Sequence, residues 1–236
     1  MAKYLIFLSG NFFFSRAMQF MLKERNLSSA TIYAADGGAA HALTMGLLPE
    51  SVFGDFDSLS PALQNTLTQK HIPCLRFPRA KDLTDGEIAV QAVKWQPNDE
   101  AWLIGALSEN RPDHQQGNMA LATRLASLGV KVILTDGKTF IFRLSGKSEM
   151  RLDWSRDLLG KPDIVSLLSP DFAENVTSSG LAYPLCGVTI KSTDVFALSN
   201  CPCHTAQSFH VQVASGRLDV YVLYTDGLET TVIPNE

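Results

Sequence analysis

The chain has 236 residues, 45% of them hydrophobic and 19% charged, with a formal net charge of −4. That is enough material for one large domain or two small ones, and the composition excludes an intrinsically disordered chain. The slight acidity disfavours nucleic-acid binding, and four cysteines without a secretory signal make no disulfide framework, so the cytoplasm is the expected compartment.

The first apolar run, Tyr4 to Leu8, is cut by Ser9, Gly10 and Asn11. It is too short to span a membrane and reads as a first buried strand. Further strand candidates follow at Ser29–Ala35, Ser51–Phe53, Cys74–Phe77, Ala101–Ile104 and Val130–Leu134, most of them separated by helical patterns. This βαβ rhythm implies an α/β fold with a mostly parallel sheet and flanking helices. Its site should lie in loops beyond the carboxyl ends of the strands. Those loops are Ser9–Asn11, Asp36–Ala39, Gly54–Ser58, Lys81–Asp85 and Gly105–His114. Near Thr135 to Lys138 the rhythm changes to short alternating runs broken by Gly, Pro, Ser and Asn: Phe140–Leu144, Val188–Ile190, Phe209–Val213 and Leu218–Leu223. We therefore divide the chain into domains of residues 1–136 and 137–236, the second an antiparallel sandwich or barrel.

Four loops carry candidate chemistry. In Gly54-Asp-Phe-Asp-Ser58, an extended backbone would aim Asp55 and Asp57 to one side and turn Phe56 to the core. Two such charges about 5 Å apart repel by roughly 3 kcal/mol at an effective dielectric near 20, which a cation relieves. Magnesium fits, since it takes carboxylate oxygens and completes its shell with water and substrate phosphates; a solvated turn is the plainer alternative. Lys81-Asp-Leu-Thr-Asp-Gly-Glu87 adds Asp82 and Asp85 at the opening of a helix, where Thr84 and Glu87 read as a capping box and Lys81 as either a phosphate counter-charge or a surface lysine. Asp36-Gly-Gly-Ala39 follows a strand and opens a helix, so Gly37 and Gly38 either bring backbone N–H groups close to a phosphate or simply make a tight turn. Arg111-Pro-Asp-His114 offers an arginine fork, with Asp113 placed to orient it, bind metal or cap the helix expected from about Gln115. Cys201, Cys203 and His204 are too few and too close for a good zinc site and read as ordinary loop residues.

Taken in order, these motifs resemble the thiamine pyrophosphokinase family. The matching residues are Asp36–Ala39, Pro49, Gly54–Ser58, Lys81–Asp85 with Glu87, Arg111–His114 with Asn118, Ser179–Leu185 and Ser199-Asn200, which span nearly the whole chain. The resemblance implies an N-terminal ATP-binding catalytic domain and a C-terminal β-sandwich that binds thiamine and forms a homodimer. The implied reaction transfers pyrophosphate from ATP to thiamine, giving thiamine diphosphate and AMP. It further implies Mg²⁺ on Asp55, Asp57 and Asp85, support from Asp82, charge compensation by Lys81 and Arg111, and ligand contacts from Asp36, Gly37, Gly38, Arg111, Asp113, Ser199 and Asn200. This sequence departs from the family at Ser108-Glu-Asn110, where a Gly-Gly pair is usual, and at Cys201, where the family often has an acidic residue. Two rival readings are a hydroxymethyl pterin pyrophosphokinase and a non-catalytic thiamine or nucleotide sensor.

Overall fold

The computed structural model describes residues 1–57, 59–78, 82–154 and 160–225. Lys81 and Ser58 lie outside the described residues, as does the C-terminal stretch 226–236. Met1–Gly137 form one compact unit, and the described residues from Lys138 onward form a second.

In the first unit, strands β1 (Lys3–Phe7), β2 (Thr31–Ala35), β3 (Ser51–Gly54), β4 (Cys74–Arg76), β5 (Glu100–Ile104) and β6 (Lys131–Thr135) lie in the order β4-β3-β2-β1-β5-β6. Every pair in this sheet is parallel. Central strands covered on both faces must be continuously apolar. Accordingly Leu5, Ile6 and Phe7 of β1 and Trp102, Leu103 and Ile104 of β5 are fully buried. Among the described residues, five α-helices connect the strands: α1 (Arg16–Glu24), α2 (Gly38–Thr44), α3 (Pro61–Gln69), α4 (Asp85–Gln91) and α5 (Pro112–Ser127). Three begin at hydroxyl caps that accept the free N–H three residues on: Ser15 from Met18, Ser60 from Leu63 and Thr84 from Glu87. The helix expected from about Gln115 starts instead at Pro112, because a proline's fixed φ and missing N–H suit the first helical position. Helix α4 packs across β1, β2 and β3, and α5 packs on β6.

The second unit is antiparallel throughout. It contains β7 (Thr139–Ser145), β8 (Ser148–Asp153), β9 (Ile164–Leu168), β10 (Phe172–Ser179), β11 (Val188–Lys191), β12 (Ser208–Val213) and β13 (Ser215–Leu223). Strand β13 pairs with β7 and β9, while β10 pairs with β11 and β12, and β12 pairs with β8. Met150 and Leu152 of β8 and Phe209, Val211 and Val213 of β12 are buried while their neighbours are not, the period-two signature of sheets covered on one face, as in a β-sandwich. Between β7 and β13, Arg143 and Asp219 are directly opposed and form a two-pronged ion pair, Nε–Oδ1 2.7 Å and Nη2–Oδ2 2.6 Å. Both are buried, and burial together with the Asp219 charge pushes the nearby Tyr221 phenol up to about 12.

Candidate active site

Strand order reverses between β1 and β5: the chain builds outward from β1 to β4 on one side and resumes at β5 on the other. Loops at the carboxyl ends of strands part at such a point and leave a crevice. A cleft of about 850 Å³ lies there, lined by Ser9 and Gly10 after β1, Asp36 after β2, Asp55 after β3, Thr84 to Glu87 at the start of α4, and Ser108, Arg111 and Asp113 before and within α5. Its floor is built from backbone packed on backbone. A Cβ on Gly10 would lie 2.4 Å from the carbonyl oxygen of Gly105, so only glycine lets the β1 and β5 loops close on each other.

Asp36 has a left-handed backbone (φ 46°), and its N–H donates to the Phe53 carbonyl. This brings its side chain against Gly54, where an added Cβ would lie 3.3 Å from Asp36 Oδ1. The next residues correct the extended geometry expected for Asp55 and Asp57. Strand β3 ends at Gly54, and Phe56 is left-handed at φ 60°, uncommon for a bulky side chain and costing on the order of 1 to 3 kcal/mol. Phe56 is held there by burial, and the Asp57 N–H donates to Asp55 Oδ1 at 3.2 Å, closing a turn. The turn splits the pair: Asp55 faces the main cleft and an adjoining hollow, whereas Asp57 lines only the hollow, with Arg76, Phe77 and Pro78.

Across the cleft, Thr84 caps α4 by accepting the Glu87 N–H at 3.1 Å. Glu87 itself pairs with Arg124 of α5 at 2.6 Å, a cleft-lining contact the sequence motifs did not reveal because the two lie 37 residues apart. Asp85 occupies the first turn of α4 and lines the cleft, and Asp82 is exposed just before it and outside the lining.

Arg111 and Asp113 form an exposed two-pronged pair, Nε–Oδ1 3.0 Å and Nη2–Oδ2 2.8 Å. The fork holds the Asp113 carboxyl well below the usual carboxylate range. Asp113 thus bonds the arginine from within the first turn of α5, whose N-cap position is Arg111 itself. In the glycine-free segment before it, the Ser108 hydroxyl accepts the Arg111 N–H and the Ser108 N–H donates to Gln115 Oε1, both at 3.1 Å. Polar bonds thus fix this loop in place of close glycine packing, and Asn118 anchors α5 to the Ala106 carbonyl at 2.8 Å.

The remaining candidates divide. Gly38 is buried, and its added Cβ would lie 2.3 Å from the Phe7 carbonyl oxygen, so it sets how closely α2 approaches β1. Gly37 faces the Ser9 hydroxyl, with 3.5 Å from its added Cβ to Ser9 Oγ. Beneath them His41, which no motif singled out, bonds the Gly10 carbonyl at 3.1 Å through Nε2, and burial lowers its pKa. Ser199 and Asn200 belong to the second unit. Ser199 is exposed with φ 56°, whereas the buried Asn200 amide holds the Tyr183 backbone from both sides, accepting its N–H at 3.1 Å and donating to its carbonyl at 2.7 Å.

Among the described residues, no three His, Cys, Asp or Glu side chains group closely enough to hold a metal by themselves. Asp55, Asp57 and Asp85 are therefore not a ready-made cage, since the left-handed Phe56 turns Asp57 away from the main cleft. What the cleft offers is separate carboxylates on facing walls, a donor set suited to an ion that keeps its waters and takes only one or two protein ligands.

Comparison with known proteins adds three findings. Residues 22–134 match the family model described as thiamin pyrophosphokinase, catalytic domain. The chain is 30% identical over 179 residues to a thiamine pyrophosphokinase of Bacillus subtilis, covering 74% of this chain and 79% of that protein. It superposes on the crystal structure of thiamine pyrophosphokinase from Bacillus subtilis with a TM-score of 0.76, 21% identity and coverage of 95% of this chain and 100% of that one. The corresponding figures for thiamin pyrophosphokinase from Geobacillus thermodenitrificans are 0.71, 21%, 99% and 100%. These superpositions establish the fold, and the 30% relative establishes kinship.

Proposed function

Since the chain belongs to the thiamin pyrophosphokinase family and its activity is transfer of pyrophosphate to thiamine, we propose that the cleft at the β1/β5 reversal is where the transfer occurs, with ATP as donor and Mg²⁺ as the metal. One observation carries this reading: Asp36, Asp55, Asp85 and Arg111 converge on a single cleft of about 850 Å³, within the size range of small-ligand sites. Asp55 and Asp85, with Asp57 reached from the hollow, would hold the ion, which would supply positive charge against the phosphate oxygens.

The rest is done by the chain's own groups. Arg111, pre-aimed by Asp113, presents its fork to phosphate oxygens; Lys81 belongs to the same reading, as does Asp82 in a supporting place. Asp36 lines the edge along which the nucleotide would lie, with the Gly37-Gly38 turn directly behind it. The thiamine hydroxyl oxygen bonds to the β-phosphorus as the bond from that phosphorus to the α,β-bridging oxygen breaks. AMP leaves with the electron pair, and the hydroxyl proton passes to Asp85 or to water. Such a reaction is driven by positioning and by charges already in place.

Competition distinguishes the acceptors. With ATP, Mg²⁺ and equal concentrations of thiamine and a hydroxymethyl pterin, chromatography is expected to show thiamine diphosphate and AMP, with the pterin turned over far more slowly. A cationic thiazolium gains from an acidic site, whereas a neutral pterin does not. Preferential diphosphorylation of the pterin would overturn the acceptor assignment, and no AMP at all would favour a sensor.

We assign thiamine contact and dimerisation to the second unit, with Ser199 and Asn200 near the acceptor. Support comes from apolar side chains close in sequence to Asn200 or held by it: Tyr183 is 72% exposed and Val195 68%, with Phe196 and Leu198 also exposed. Sedimentation equilibrium is expected to give twice the chain mass, and a monomer at assay concentration would remove the dimer from this reading. We place the protein in the cytoplasm, since its four free cysteines suit a reducing compartment. Among the described residues, no helix is long and apolar enough to cross a membrane.

A further inference from the structure

The hollow next to the main cleft, of about 560 Å³, is walled by Asp55, Asp57, Arg76, Phe77 and Pro78. Arg76 has no part in the reading above. It is the last residue of β4, and the β3/β4 ladder sets it opposite Gly54, the residue before Asp55. Its guanidinium carbon lies 5.5 Å from the centroid of the Phe56 ring. That ring is buried and fixed by the left-handed turn between the two aspartates. Arg76 is exposed, and among the described residues it forms no ion pair with Asp55 or Asp57.

These facts have a chemical consequence. A guanidinium resting on an aromatic face is held in orientation by the ring, while its N–H donors, which lie in its own plane, stay available at the edge. Had Arg76 been there to neutralise the aspartates, it would pair with one of them. Instead the hollow combines two carboxylates with an oriented, unspent arginine. A lone cation would be repelled by the arginine and a lone anion by the carboxylates. An anion that arrives with a divalent cation satisfies both, and a metal-bound polyphosphate is such a group.

We propose that Arg76 binds the phosphate tail of the donor beyond its α-phosphate from the hollow side, so that the polyphosphate lies across Asp55 with Arg111 serving the main cleft and Arg76 the hollow. This rests on ATP being the donor, as proposed above. Phe56 thereby gains a second purpose: its left-handed turn separates the aspartates and also carries the platform that aims Arg76.

The test compares binding of ATP and of AMP, each with Mg²⁺, to the full-length wild-type protein and to Arg76→Gln, by titration calorimetry. Arg76→Gln is expected to weaken ATP by on the order of 10- to 100-fold, the loss of charged hydrogen bonds to phosphate. AMP affinity should stay within about twofold, because AMP lacks the phosphates Arg76 would hold. Arg76→Lys, which keeps the charge but not the fork, should fall between the two. Equal ATP affinity in wild type and Arg76→Gln would overturn the inference and leave the donor assignment standing. A parallel loss of ATP and AMP would also overturn it, showing that Arg76 merely supports the turn. Wild-type protein that binds neither nucleotide would overturn the donor assignment, and this inference with it.

Discussion

Replacing Asp55 with Asn is expected to lower the rate of thiamine diphosphate formation by on the order of 10²-fold or more, while the fold survives. The substitution is isosteric, and the Asn carbonyl oxygen can still accept the Asp57 N–H that closes the turn, at 3.2 Å in the wild type. What disappears is one negative charge at the one motif residue, among those described, that lines both the main cleft and the hollow. Asp85→Asn and Asp57→Asn are expected to fall in the same range, each with a raised Mg²⁺ requirement. Initial rates across a Mg²⁺ titration, with circular dichroism as the check on folding, decide the matter. Near-normal turnover of all three variants at limiting Mg²⁺ would sink the metal assignment.

In the second unit, Arg143→Met should destabilise by about 3 to 5 kcal/mol, because it strands the Asp219 carboxylate in a place where Arg143 and Asp219 side chains are 0% and 3% exposed. The double replacement of Arg143 with Met and Asp219 with Leu should recover most of that loss, since two apolar side chains remove the desolvation cost of both charges. Hydrogen exchange read at the amides of β7 and β13 is the suitable measurement, as it reports the local unit in a two-unit protein. If the single variant exchanged like the wild type, the ion pair would be contributing little. If the double variant were as unstable as the single, the loss would come from packing rather than stranded charge.

Sequence patterns revealed those parts of this protein whose physical signal is local. The six strands of the parallel sheet were legible because each is a short apolar run bounded by breakers, and β7, β11, β12 and β13 were legible by alternation. Strands β8, β9 and β10 were not. β10, Phe172–Ser179, has a register irregularity between Ala173 and Val176, with Asn175 at φ 52°, and this breaks the period on which an alternation argument depends. At the cleft, the Thr84 cap was legible because its partner is three residues away. The extended backbone expected through Asp55 and Asp57 was misread because the course of the chain there depends on one backbone angle, at Phe56, and a phenylalanine gives no hint of a left-handed turn. The Glu87–Arg124 pair depends on tertiary placement, which spacing cannot report. Gly37 and Gly38 show a further limit: the same two letters suit a phosphate contact and a tight helix–strand approach, and Gly38 makes the latter.

The central place of β1 also bears on how the chain folds as it is made. A ribosome releases Lys3–Phe7 before Thr31–Ala35, and β2 can join it early, since their register is Tyr4 to Thr31. Its other neighbour, β5, is synthesised much later; the bond from the Ala2 N–H to Asp99 Oδ1 spans 97 residues. Until then Leu5, Ile6 and Phe7 have one open strand edge, and the Gly10–Gly105 contact under the cleft does not exist. At about 5 to 20 residues per second, that wait lasts on the order of 5 to 20 seconds. A nascent chain of this design is thus most exposed to misassociation in mid-synthesis, and the cleft proposed as its active site takes shape only after β5 has emerged.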